Sequence, residues 1–267
     1  MATDRSLSVL KLFTLDRPVW TAEDIARTLD VSMSTAYRYV LALEDVGLVT
    51  TASPGRYILG PAIIQLDRQL QLTDPLLAAA RPVMDKITQF APDGSVVLLC
   101  RSFSETVLCM HQVHTKGPQP MISYERGRPM PMFKGASSRI ILANQAARHL
   151  RKMYDEHADE VRDNGDGTTW DEFRAAMTKL RKTGYAVSFG EVDRGRIGIA
   201  APLLDEARHP IGSLSYVVQS SLDQSTIPML ASVVTTAARE VEDALRSDPR
   251  DGSLRKPVAA RVQAPAV

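Results

Sequence analysis

Within residues 21–57, TAEDIARTLDVSMSTAYRYVLALEDVGLVTTASPGRY, the order of local signals leaves the chain little choice of fold. Thr21 is a good N-cap, with Asp24 three residues on in a near capping box. Trp20 and Ile25 are spaced as a hydrophobic staple across the cap. Ala22, Ile25, Ala26 and Leu29 share one helical face. The pattern breaks at Asp30-Val31, and Ser32 can cap a second helix to about residue 46, with Ala36, Val40 and Leu43 turned inward. Gly47 suits the residue that ends it. Residues 48–51 and 56–59 alternate as two strands around Ser53-Pro54-Gly55. Two short helices about a tight turn, then a hairpin, make a winged helix-turn-helix.

Such a unit can hold one short helix in the major groove of DNA. The inward residues leave Ser34, Thr35, Tyr37, Arg38 and Tyr39 around the outer side of the second helix, where base edges and phosphates are met. Arg38 suits a guanine or a phosphate, and Arg56 on the hairpin suits the DNA backbone. Charge does not favour this reading. Residues 1–60 hold six basic and seven acidic side chains, a net of −1, whereas nucleic-acid binders usually carry a basic footprint. A small helical domain for protein contacts would satisfy the same periodicity, so the order of elements carries the expectation.

The whole chain has 267 residues, 44% of them hydrophobic, and a net charge of +1, as expected of two soluble domains. No apolar run reaches the length of a membrane span, and the N-terminus lacks an apolar signal core, so a cytoplasmic protein without membrane contact is expected. Two cysteines, Cys100 and Cys109, are no disulfide framework; both suit buried positions on neighbouring strands.

Residues 6–15 are spaced as a leading helix, and 61–72 as a linker helix with Ile63, Ile64, Leu66 and Leu70 apolar. Asp74-Pro75 breaks it before another helix marked by Leu76, Leu77, Ala80, Met84 and Ile87. Strands are then predicted at 95–101, 106–113 and 120–124. A loop through 125–136 leads to a helix over 137–144 and a helical stretch through 154. Residues 162–169 suit a surface turn, and 170–183 an amphipathic helix with Phe173, Met177 and Leu180 inward, stopped by Gly184. Strands at 185–191, 196–205 and 211–219 precede a long closing helix over 227–246. The expected domains are therefore 1–60, a linker over 61–74, an α+β domain over 75–246, and a disordered tail over 247–267.

No G-x-S-x-G, P-loop, G-x-G-x-x-G or H-E-x-x-H motif occurs, so neither a catalyst nor a cofactor is expected. The run Asp193-Arg194-Gly195-Arg196 suits a turn between strands. Cys109, His111 and His114 are zinc-ligand types, with Cys109 and His111 placed on one strand face. No fourth ligand stands near them in sequence, and no metal is expected. A small-molecule-binding enzyme or a protein-interaction module remain the alternatives to a DNA-binding protein.

The segments SLSVLKLF, AEDIARTLDVSMSTAYRYVLALEDVGLV, GRYILG and, most specifically, GYAVSFGEVDRGRIGIAAPLLD resemble the IclR-type transcriptional regulators over roughly residues 5–246. The resemblance implies a winged helix-turn-helix joined by a linker helix to a GAF-like, antiparallel-sheet domain that binds a small effector. It further implies a homodimer or homotetramer on double-stranded operator DNA, acting first of all as a repressor. Effector contacts carried over from relatives fall on Phe133, Lys134, Gly135, Ala136 and Ser137, then on Ser188, and then on Gly198, Ser215 and Val217. Ser188 stands where Asp is common, Gly198 where Cys is, and Val217 where Ser can be; Phe133 replaces a common His, and Ser138-Arg139 a common Gly-Lys. These departures remove a charge and a thiol, which implies a larger, less polar effector than a two-carbon keto acid: an aromatic or mostly apolar metabolite held at its polar end by Ser188, Ser215 and loop amides.

Overall fold

The computed structural model describes residues 5–247. The expected tail, apart from Ser247, lies outside the described residues. The chain divides into two compact units, one ending at Asp74 and one beginning at Pro75.

The first unit opens on a 3-10 helix, Arg5–Leu12, where an α-helix over 6–15 was expected. α1 (Ala22–Leu29) starts at Thr21, whose side chain accepts from the Asp24 amide. The reciprocal half of a capping box is absent, because the Asp24 carboxylate turns to the guanidinium groups of Arg17 and Arg27. α2 (Met33–Asp45) is capped by Ser32 in the same way, and Gly47, with φ +71°, turns the chain out of it. β1 (Val49–Ser53) and β2 (Arg56–Leu59) form the hairpin. Trp20 adds a third rung by exchanging backbone hydrogen bonds with Tyr57 at 3.0 and 2.8 Å. Trp20, Ile25, Ala36, Val40, Leu43 and Val49 close a small core with Val9. α3 (Ala62–Thr73) follows, and none of its residues is buried; Ile64 is 74% exposed and Leu66 53%.

The second unit is a six-stranded antiparallel sheet between two helical layers. Its strands are β3 (Val96–Phe103), β4 (Thr106–His114), β5 (Pro129–Pro131), β6 (Ala186–Phe189), β7 (Arg196–Leu204) and β8 (Pro210–Gln219), in the order β5-β4-β3-β8-β7-β6. Both faces of β3 are covered, which is why its sequence runs apolar without alternation. Val97 and Leu99 face α4 (Pro75–Ile87) and α9 (Ile227–Ser247), together with Ile197, Ile199, Leu214 and Tyr216. Val96, Leu98 and Cys100 face the other way. There they meet a layer built from α5 (Ala136–Ala143), α6 (Ala147–Glu156), α7 (Ala158–Asp163) and α8 (Trp170–Thr183). Thr169 and Glu172 cap α8 reciprocally, and Gly184 ends it with φ +80°. Among the described residues no helix is long and apolar enough to cross a membrane.

Three expectations are corrected. Residues 120–124 form no strand, because Pro118 and Pro120 lack amide donors and the Ser123 amide is taken by the Asp193 carboxylate at 2.9 Å. The edge strand is instead Pro129–Pro131, at a sheet margin that tolerates missing donors. The turn expected over 162–169 begins inside α7, and it buries Asp166, which is 4% exposed and paired with Arg139. Finally, a β-bulge between Leu99 and Cys100 pairs Leu99 with His111 but Cys100 with Cys109. The extra residue turns Cys109 into the layer under α5, while His111 faces Arg81 and Asp85 of α4. Cys109 and His111 therefore lie on opposite faces of the sheet.

Candidate functional site

On the first unit, α2 presents its N-terminal turn as a cluster of hydroxyls. Ser32 Oγ accepts from the Thr35 amide at 3.2 Å and lies 3.0 Å from Ser34 Oγ and 2.9 Å from Thr35 Oγ1. Ser34, Tyr37 and Arg38 are exposed, Thr35 is half-buried, and Tyr39 packs partly against the core. Arg56 is exposed on the hairpin, which is tied to the end of α2 by Thr51 Oγ1 donating to Glu44 at 2.6 Å. Neither Arg38 nor Arg56 has a side-chain partner among the described residues. The acid Asp24 on α1, by contrast, is paired with Arg17 and Arg27. Arg38 and Arg56 are thus unpaired cations on a unit of near-zero net charge.

On the second unit, register places Ser188, Gly198 and Val217 side by side on β6, β7 and β8, with Ser215 one rung further along the same face. The N-terminus of α5 sits over this row. The Ala136 amide donates to Ser188 Oγ at 3.1 Å, and Ser137 Oγ and Ser215 Oγ lie 2.8 Å apart. Ser213 Oγ donates to the Ser137 carbonyl at 3.2 Å. Gly135, with φ +81°, permits the close approach: a Cβ there would lie 2.9 Å from both the Tyr124 hydroxyl and Val192. Gly198 is equally constrained, since a Cβ would come 2.8 Å from Ser188 Oγ.

Between this row and the helix lies a cavity of about 30 Å³, close to the space of one water molecule. Gly135, Ala136, Ser137, Ser188, Gly198 and Val217 line it, so six of the nine expected effector residues meet at one place. Ser215 stands behind Ser137. Phe133 and Lys134 do not reach the cavity. Phe133 is buried against Phe173 and His157, and Lys134 points its side chain to solvent while its carbonyl accepts from Tyr124 OH at 3.1 Å. Sequence reasoning missed Tyr124, Gly190, Glu191, Val192, Asp193 and Arg196, which complete the lining. The acidic run 191–193 was visible, but its folding back over α5 depends on contacts distant in sequence: Ser123 Oγ donates to Asp193 at 2.6 Å, and the Gly135 amide to Glu191 Oε2 at 2.9 Å.

Elsewhere, a wider depression along α8 is lined by residues of that helix alone and encloses nothing. Glu105, Glu156 and His157 bring potential ligand atoms within 4.8 Å of one another on an exposed surface, an ordinary ion cluster. Cys100 and Cys109 are buried free thiols; the hydrogen bond to Cys109 and burial push the Cys100 thiol well above its ordinary value, which favours the neutral form.

These two sites can be set beside known proteins. Residues 2–53 match the family described as the IclR helix-turn-helix domain, and residues 71–243 the one described as bacterial transcriptional regulator IclR C-terminal. The HTH-type transcriptional regulator KipR of Bacillus subtilis is 23% identical over 241 residues, covering 89% of this chain and 94% of that protein. An IclR transcriptional regulator of Alicyclobacillus acidocaldarius shares the fold with a TM-score of 0.71 at 22% identity, covering 90% of this chain and 96% of that one. An IclR homologue of Microbacterium hydrocarbonoxydans, solved with 4-hydroxybenzoate, has a TM-score of 0.69 at 23% identity, covering 91% and 98%. These relatives are transcriptional regulators, not enzymes. The chain belongs to the IclR family of bacterial transcriptional regulators, with a DNA-binding helix-turn-helix domain followed by a C-terminal effector domain.

Proposed function

We propose that this regulator is an effector-responsive repressor acting in the cytoplasm as a homodimer or homotetramer, and that its effector is a small, mostly apolar, aromatic metabolite. The observation that carries the reading is the row Ser188–Gly198–Val217 beneath the α5 amides. It offers hydroxyls and amides at one end and, through Gly198, Ala136 and Val217, an apolar floor. The 4-hydroxybenzoate bound to the Microbacterium homologue supports the aromatic class. A ring needs more than the present 30 Å³, so binding must part the 190–196 loop from α5. On the first unit, Ser34, Thr35, Tyr37, Arg38 and Tyr39 are assigned to the major groove and Arg56 to the phosphate backbone. The exposed apolar side chains of α3, Ile64, Leu66 and Leu70, support pairing with a second copy.

Two winged helices of a dimer would then occupy half-sites about one helical turn apart or a multiple of it. Effector binding alters their placement through α3, with a reciprocal coupling of about 1–3 kcal/mol. The test is operator affinity of the full chain at fixed salt, measured with and without substituted benzoates, small keto acids and dicarboxylates. Benzoates are expected to shift affinity; tight binding of small dicarboxylates or keto acids alone overturns the aromatic assignment.

A further inference from the structure

The amide end of the pocket already holds a carboxylate, and it comes from the protein. The first amides of a helix have no intrahelical partner and lie at the positive end of its dipole. The residue that starts α5 is Gly135, which has no side chain with which to cap them. Glu191, from the loop between β6 and β7, supplies the acceptor: the Gly135 amide donates to its Oε2 at 2.9 Å. Its other oxygen, Oε1, lies 3.4 Å from an Nη of Arg139, one turn into α5. The other Nη of Arg139 donates to Asp166 Oδ1. Two buried atoms of this group lack hydrogen-bond partners among the described residues: Arg139 Nε and Asp166 Oδ2. Asp166 is 4% exposed, and orphaned atoms at such depth are costly. One guanidinium thus stands between two carboxylates with donor capacity in reserve, beside the cavity that Glu191 lines.

We propose that Glu191 is a tethered internal ligand, an autoinhibitory contact that closes the amide end of the pocket until an incoming carboxylate displaces it. The displaced Glu191 side chain moves fully onto the Nη end of Arg139, whose remaining N–H groups there receive it, and the effector's anionic end takes the Gly135 amide. The other pocket acid, Asp193, stays in place, because Ser123 binds it through both its amide and its hydroxyl. The idea rests on the pocket being the effector site, but it names the competitor that any carboxylate effector must overcome. A tether of this kind lowers the apparent affinity of a free ligand by the fraction of time the amide is free.

The experiment uses the full-length wild type and Glu191→Ala, melted in rising sodium acetate against sodium chloride at equal ionic strength, with benzoate titrated into both by calorimetry. Acetate is expected to stabilise the Ala variant saturably and leave the wild type unchanged. Benzoate is expected to bind the variant about tenfold tighter, as for a competent state rising from roughly a tenth of the population to all of it. Absence of saturable acetate binding in the variant, with benzoate affinity unchanged or weaker, would show Glu191 to be a fixed cap and overturn the proposal. Acetate rescue without benzoate binding to either protein would uphold the displaceable cap and instead sink the aromatic reading of the pocket. Should the Ala variant not fold, Glu191→Gln keeps the size and loses the charge; benzoate binding no tighter than wild type would then refute the displacement.

Discussion

The two units handle polar chemistry in opposite ways. In the first, Arg38 on α2 and Arg56 on the hairpin are exposed and unpaired among the described residues, and α2 is held by local caps: Ser32 on Thr35 and the turn at Gly47. In the second, the groups around the cavity are buried and already bonded to one another, Ser188 to the Ala136 amide, Ser137 to Ser215, and Glu191 to the Gly135 amide. A surface that reads DNA must keep its donors free for phosphates and bases. A pocket that discriminates a small molecule works by making that molecule replace internal bonds, so selectivity resides in the exchange.

That contrast can be broken in several places. The largest effect is expected from Phe173→Ala, which empties a buried site against Phe133, Tyr154 and Trp170 under α5. It should cost about 3–5 kcal/mol of second-unit stability, read by urea unfolding with near-ultraviolet dichroism. Arg38→Ala is expected to weaken operator binding by about 1–3 kcal/mol at fixed salt if the contact is bidentate to a base, with the melting temperature essentially unchanged. Equal affinity would remove Arg38 from the reading face. Gly198→Ala should do the converse. Its Cβ would crowd Ser188 Oγ, destabilise the second unit by about 1–3 kcal/mol and abolish the response to benzoates, while operator affinity without effector stays as in wild type.

The smallest effect is a difference in pH dependence. Desolvation pushes Asp24 up, but hydrogen bonds from Thr21 and Arg17 and the charges of Arg17 and Arg27 outweigh it and hold the carboxyl below its ordinary 3.8. A depressed carboxyl contributes stability above 3.8 that is lost as pH falls through its folded value. Burial lifts Asp166 above 3.8 despite the charge and hydrogen bond of Arg139, and lifts Glu242 above 4.5 despite the hydrogen bond from the Leu204 amide. For these two the sign reverses: the folded state takes up the proton first, so acidification through the range just above their ordinary values favours it. Asp24→Asn should therefore flatten the acid-side loss of stability, and Asp166→Asn should flatten an acid-side gain. Matching pH profiles for the two variants would contradict the contrast.

What could be seen in the sequence follows the same division. Thr21, Ser32, Gly47, Thr169 and Gly184 act on amides and turns within a few residues of themselves, so the boundaries of α1, α2 and α8 were legible. The row Ser188, Gly198, Ser215 and Val217 was visible only through family resemblance, since nothing local says that three strands will align them. Glu191 and Asp166 escaped because their partners, Gly135 and Arg139, lie 56 and 27 residues away. The bulge at Met110, which parts Cys109 from His111, shifts the alternation by a single residue, and no composition signal marks it.

The proline-bounded strand Pro129–Pro131 has a consequence beyond the fold. An open sheet is a template for polymerisation, and every unpaired backbone donor along its margin is an invitation to another chain. Here the strand that covers the Thr106–Leu108 stretch of one margin is only three residues long, and two of them have no donor to offer. Growth of the sheet past that strand stops with the chain's own chemistry, so along that stretch a crowded population of these regulators is guarded against joining edge to edge into fibres.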